Sequence, residues 1–238
     1  MPTHQIHFAR ASGLPDAKTI AKAANEHAAG QNDKSPYIVR DITAGKVFSA
    51  NLIAQVDASI KVFDKDVGGV VMKNIRKAIF FELAINSDKA WIATQCGGRK
   101  TLDYAAEFLI GDLALPVLWD RITLPVLETI DKLCKLCADA DGIDFLGAKK
   151  STIAGYCHDS YMVGNYAAQF LDPVHGRDFM SEYENAVKSA DVRLRVEGRA
   201  VTIRLAGDSS FSFTTKADAN ILPIITLCRS LAGWKEKR

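Results

Sequence analysis

Residues 94–109 read TQCGGRKTLDYAAEFL. Two glycines, Arg99, Lys100 and Thr101 stand between an apolar run and a helical pattern, which is the composition of a loop that grips phosphate. A Walker-type loop requires G-x-x-x-x-G-K-[ST], so that successive amides curl around the phosphates. Lys100 and Thr101 match its end, but Arg99 and Thr94 occupy both required glycine positions. A side chain there blocks the close backbone approach that glycine permits, and a P-loop NTPase is excluded. A looser role stays open, in which amides of residues 97–100 form an anion nest and Arg99 and Lys100 add charge. The plain alternative is a strand-to-helix turn with solvated basic residues.

Other reactive residues fall short of known chemistry. Cys134-x-x-Cys137 followed by Cys157-His158 has the look of a zinc set, yet the first pair lies on the apolar stripe of a helical pattern, where buried free cysteine is common. Residues 139–144, DADGID, approach a calcium loop, but the glycine stands at the fourth place and Lys150 at the twelfth. Cys157, His158 and Asp159 are adjacent, and neighbours on a strand point to opposite faces, so they form no relay among themselves. Cys157 with His175 and a distant acid stays conceivable. The chain contains no G-x-S-x-G, H-E-x-x-H or G-x-G-x-x-G motif. The expectation is no metal, no cofactor and no catalytic residue, with enzymatic activity undecided and leaning against.

The basic residues of the last third form the better-organised set. Residues 192–196 and 201–205 alternate apolar and polar about Glu197-Gly198, a hairpin signature. A two-residue loop pairs Leu194 with Val201 and Val192 with Ile203 on an apolar face. On the other face it pairs Arg195 with Ala200, Arg193 with Thr202 and Asp191 with Arg204. A three-residue loop, 207–209, brings Phe211 beside Leu205 and Phe213 beside Ile203. Arg193, Arg195, Thr202, Arg204, Ser212 and Thr214 then share one face, with cations and hydroxyls suited to phosphate. No aromatic interrupts this face, so base stacking is not expected. The plain alternative is a solvated face with Asp191 paired to Arg204.

The elements that would position these residues are read from periodicity. Residues 5–10 and 37–42 suggest strands, and 16–29 an alanine-faced peripheral helix with Gly30 as a left-handed stop. Phe48, Leu52, Val56, Ile60 and Phe63 lie at helical spacing, so a helix is expected over 47–64 with Thr43 as cap, although two short β-branched runs also fit. Met72, Ile75, Ile79 and Leu83 fit another helix, with residues 78–85 readable as a buried strand. A strand at 89–94 precedes helices over 102–115 and from Pro125 onward, the latter placing Leu127, Ile130, Cys134 and Cys137 on one side. A closing helix carries Ile221, Ile225, Cys228 and Leu231, with Gly233 after it.

The resulting fold class is α+β, with an antiparallel sheet in the C-terminal third, packed helices, and two similar halves over 1–123 and 124–238 joined as separate or continuous domains. With 48% apolar and 24% charged residues, the chain has ample material for a core. Its net charge of +2 does not by itself imply a polyanion partner. Five cysteines without disulfide-like spacing, and no apolar leader or bilayer-length run, point to a cytoplasmic protein off the membrane. The leading functional expectation is a non-catalytic binding protein acting on nucleic-acid phosphates or on proteins. Its residues would be Arg193, Arg195 and Arg204, helped by Arg99 and Lys100. Two alternatives stay open: an enzyme holding an anionic substrate at residues 97–101, and a structural subunit with a protein partner or its own copies.

Overall fold

The computed structural model describes residues 3–32, 34–95, 98–158, 161–172, 175–183, 186–215 and 220–232. Among these the protein is α+β, with eleven strands in antiparallel pairing and five α-helices. Two compact units divide the chain, one of residues 12–118 and one of residues 1–11 with 119–238.

The unit of residues 12–118 holds α1 (Ala17–Gly30), β2 (Tyr37–Ala44), β3 (Phe48–Asp64), β4 (Gly69–Asn86), β5 (Trp91–Gln95) and α2 (Thr101–Glu107). Strand β1 (Thr3–Ser12) precedes it. Asp16 caps α1, its Oδ1 accepting from the Lys18 and Thr19 amides at 2.9 Å each, and the Thr19 bonds hold its carboxyl below the usual range. Gly30 does not supply a left-handed stop. It stays helical, and Gln31 ends the helix in extended conformation. Ile20, Ala21 and Ala24 form the buried stripe.

Of residues 47–64, read as helix, 48–64 are strand, and so are residues 69–86. Strands β3 and β4 form one long hairpin, with Cα partners from Phe48↔Ile85 to Asp64↔Gly69. Phe48, Ala50, Leu52 and Ala54 are buried with Phe81, Leu83 and Ile85 across from them, an alternation of period two. Only the base of the hairpin is flanked, by β2 at residues 48–54 and by β5 at residues 82–86. The sheet order is β2-β3-β4-β5. The expectation of an antiparallel sheet in the C-terminal third is therefore too narrow, since antiparallel strands run through both units. The helix read over 102–115 divides into α2 and a π-helical turn, Phe108–Asp112, with Phe108 and Leu109 buried.

The other unit holds β1, β6 (Leu118–Arg121), α3 (Val126–Ala138), β7 (Ile143–His158), β8 (Tyr161–Gln169), α4 (Gly176–Ser181), β9 (Val187–Val196), β10 (Arg199–Ala206), β11 (Ser210–Thr214) and α5 (Leu222–Ala232). Its strand order is β1-β11-β10-β9-β7-β8, with β6 on β1. Helix α3 packs on β7, β9 and β10, and α5 packs on α3. Leu127, Ile130, Leu133 and Cys137 face inward from α3, whereas Cys134 is exposed and does not join that stripe. Ile6, Val192, Leu194, Ile203, Leu205, Phe211 and Phe213 make the core beneath the sheet, at 2% exposure or less.

The register of β9, β10 and β11 is the expected one in every pair: Leu194↔Val201, Val192↔Ile203, Asp191↔Arg204, Leu205↔Phe211 and Ile203↔Phe213. The turns explain it. Glu197 and Gly198 both have positive φ, 48° and 78°, the conformation of a primed two-residue hairpin turn. In the 207–209 loop, Ser209 takes the left-handed place at φ 57°. Its buried hydroxyl lies 2.9 Å from the Phe8 carbonyl and 2.7 Å from that of Ile122. Ser209→Ala is expected to cost about 1–2 kcal/mol, since these partners hold the loop against β1. A thermal melt should register this as a fall of roughly 2–8 °C. An unchanged melting temperature would show that the hydroxyl holds nothing.

Candidate functional site

The alternation that buries Val192, Leu194, Ile203 and Leu205 necessarily turns Arg193, Arg195 and Arg204 to the opposite face. All three are exposed there. Cross-strand neighbours extend that face to both sides. Strand β7 adds Asp144 beside Arg195 and Lys150 beside Asp191. Strand β10 adds Thr202 opposite Arg193. Strand β11 adds Ser212 beside Arg204, and β1 brings Gln5 beside Ser212 and Thr3 beside Thr214. The face thus carries four cations, Lys150 and the three arginines, against the carboxylates of Asp144 and Asp191.

Both carboxylates are engaged. Arg195 Nη1 lies 3.4 Å from Asp144 Oδ2, and Arg204 Nη1 lies 3.8 Å from Asp191 Oδ1. The expected Asp191–Arg204 pair is present. At these exposures each pair contributes about 0–1 kcal/mol, little enough for a stronger anion to compete. Arg204 Nη2 also donates to Ser189 Oγ at 3.0 Å, which aims the guanidinium along β9. Beside Arg204 opens a cavity of about 600 Å³, lined also by Thr152, Ser189, Asp208 and the first turn of α3. Its charges balance, because Glu128 and Asp208 stand against Arg204 and Lys188.

Arg99 and Lys100 belong to the other unit and to a different element. The turn they occupy uses its own donors: the Thr101 amide donates to the Gly98 carbonyl at 2.9 Å and the Leu102 amide to that of Arg99 at 3.3 Å. Thr101 is buried, and its hydroxyl lies 2.9 Å from the Gly98 carbonyl and 2.7 Å from Thr94 Oγ1. A phosphate would have to displace these contacts. The exposed side chains of Arg99 and Lys100 are what this turn offers an anion. Cys96 and Gly97 lie outside the described residues.

The thiols on α3 are three residues apart, with Cys134 exposed and Cys137 buried. Burial pushes the Cys137 thiol up to about 11 and the Cys228 thiol to about 12, so both are protonated at neutral pH. Asp159 and the side chains of Cys157 and His158 lie outside the described residues, as does Gly233. His175 Nδ1 sits 3.0 Å from Asp172 Oδ2 at the surface. Of the acids in 139–144, Asp139 ends α3 and Asp144 faces Arg195. Among the described residues no group of three or more His, Cys, Asp or Glu is placed to hold a metal ion, and no helix is long and apolar enough to cross a membrane.

Reading the residues in order misses Asp144 and Lys150, because pairing between β7 and β9 joins Asp144 to Arg195 and Lys150 to Asp191, positions more than forty residues apart. The other unmarked feature is the far end of the β3–β4 hairpin. From Asp57↔Arg76 to Asp64↔Gly69 no third strand pairs with it among the described residues. This arm is about 25 Å long at the usual rise per strand residue. It exposes Ile60, Phe63, Val67, Val70 and Met72. Neither a protein-family model nor a curated protein matches the chain.

Proposed function

We propose that this chain is a non-catalytic binding protein that holds a nucleic-acid phosphate backbone on the open face of β7, β9, β10, β11 and β1. The observation that carries this reading is the shared face of Arg193, Arg195, Arg204 and Lys150, with two cations in surplus over Asp144 and Asp191. Flanking hydroxyls of Thr202, Ser212 and Thr214 add neutral donors at strand spacing. Guanidinium groups match phosphate oxygens in bidentate geometry, and a row of them follows a repeating backbone. With no aromatic among these positions, the contact is to phosphate and not to bases, and binding is weakly sequence-specific.

The test is anisotropy titration of labelled duplex and single-stranded DNA across a salt series. Three to four neutralised phosphates give a log–log slope of roughly −3 to −4, or about a hundredfold loss between 50 and 200 mM salt. Arg193→Glu with Arg195→Glu and Arg204→Glu should abolish binding while the melting temperature stays close to that of the parent. Arg193→Ala alone should reduce the slope by about one. Salt-independent binding, or binding that survives the triple reversal, would sink this reading.

A further inference from the structure

The β3–β4 arm is the least explained part of the molecule. A two-stranded ribbon is marginal in water unless something packs against it. This one nevertheless extends eight residue pairs past its neighbours with its apolar side chains open. At its tip, Phe63 and Val70 face each other, as do Lys61 and Met72, so all four lie on one side of the ribbon. Phe63, Val70 and Met72 are 63%, 66% and 61% exposed. The result is an apolar centre with a cation at its rim.

The same unit carries the complementary surface. In α2 and the π-helical turn after it, Asp103, Glu107 and Ile110 stand at i, i+4 and i+7, one face of the helix. Ile110 is 45% exposed, an apolar side chain on a helix whose remaining large apolar residues are buried. Glu107, about one turn before it, and Asp103, about two turns before it, put anions on one side of this apolar centre, and Glu107 Oε2 also accepts from the Tyr37 hydroxyl. Phe63, Val70 and Met72 against Ile110, with Lys61 against Asp103 and Glu107, match in both polarity and charge.

We propose that the arm tip of one copy of this chain docks on the α2 face of a second copy. Each copy then uses two different surfaces, which meet reciprocally in a closed two-fold dimer or head to tail in a ring or open chain. None of the residues on these surfaces belongs to the arginine face, so the proposal stands or falls apart from polyanion binding.

Sedimentation velocity of the full chain over a micromolar concentration series tests it, with two variants at exposed positions. The parent is expected to assemble into a dimer or larger species as concentration rises. Phe63→Asp with Val70→Asp removes the arm contact, and Ile110→Lys removes the α2 contact, so each variant alone is expected to be monomeric. Mixed together they should form a one-to-one pair that grows no further, because one intact arm meets one intact α2 face. Met72→Glu is a milder arm variant should the double one fold poorly, and circular dichroism confirms the fold of each. A parent that stays monomeric, variants that assemble like the parent, or variants that ignore each other would each overturn the proposal. Loss of assembly in the arm variant with none in Ile110→Lys would also overturn it, pointing to arm-on-arm pairing.

Discussion

Phe211→Ala is expected to destabilise the protein by about 3–5 kcal/mol, the cost of emptying a fully enclosed aromatic site. Phe211 is 1% exposed and meets Phe8 edge to face, with ring centroids 5.3 Å apart. Its Cα partners are Leu205 on one side and Ile6 on the other, both buried to the same degree. Strand pairing fixes the backbone on both sides of the side chain, so the site collapses poorly once the ring is gone. The loss is a large share of the roughly 5–15 kcal/mol that a typical protein has in total. Thermal or denaturant unfolding should show a fall of roughly 6–20 °C. Phe211→Leu, which keeps most of the volume, should cost much less. A loss below about 1 kcal/mol for the alanine variant would mean that β1, β10 and β11 do not enclose this ring.

The pairing around Phe211 is legible in the amino-acid sequence because its causes are local. Glu197-Gly198 allows a two-residue turn, and the turn length sets which residues of β9 and β10 face each other. The alternation of Val192, Leu194 and Val196 with arginines then decides which face is buried. No distant residue enters. The β3–β4 hairpin reads as helix for an equally physical reason. Phe48, Leu52, Val56 and Ile60 are four apart, and four is both one helical turn and an even number of strand residues. The same residues therefore satisfy both patterns. The deciding positions are Ala50 and Ala54, buried on the same face but too small to mark it. Strand length adds to the ambiguity, since 17 and 18 residues exceed the usual range and favour a helical reading.

The candidate face divides along the same line. Its three arginines and their hydroxyl neighbours follow from consecutive hairpins and are readable from the sequence. Asp144 and Lys150, which tune its charge, reach it through β7, whose register shifts three times along β9. Bulges of this kind have no signature in a single sequence beyond scattered glycines such as Gly147, which has φ 104°. The turn at Arg99 and Lys100 shows the opposite case. Its composition suggests an anion site, while the hydrogen bonds of Thr101 and Leu102 account for the same residues as a helix start.

Gly13→Ala carries the second large expected effect, and here the cause is backbone and not volume. Gly13 links β1 to α1 at φ 72°, a region that an L-residue enters at a cost of about 1–2 kcal/mol. A Cβ at this position would lie 2.4 Å from the Pro116 carbonyl oxygen. That oxygen belongs to backbone held by the neighbouring Leu115 and Val117 amides, which donate to Leu109 and Leu115. It cannot swing aside as a side chain would, so the steric cost adds to the conformational one. A total of about 3 kcal/mol or more is expected, placing this variant among the severe single substitutions. Gly142→Ala separates the two contributions. Gly142 has nearly the same φ, 76°, but open space where its Cβ would stand. It should lose only the conformational part, so in parallel melts the Gly13 variant must fall well below the Gly142 variant. Equal losses would mean that Pro116 yields without cost and that the close approach between residues 13 and 116 constrains nothing.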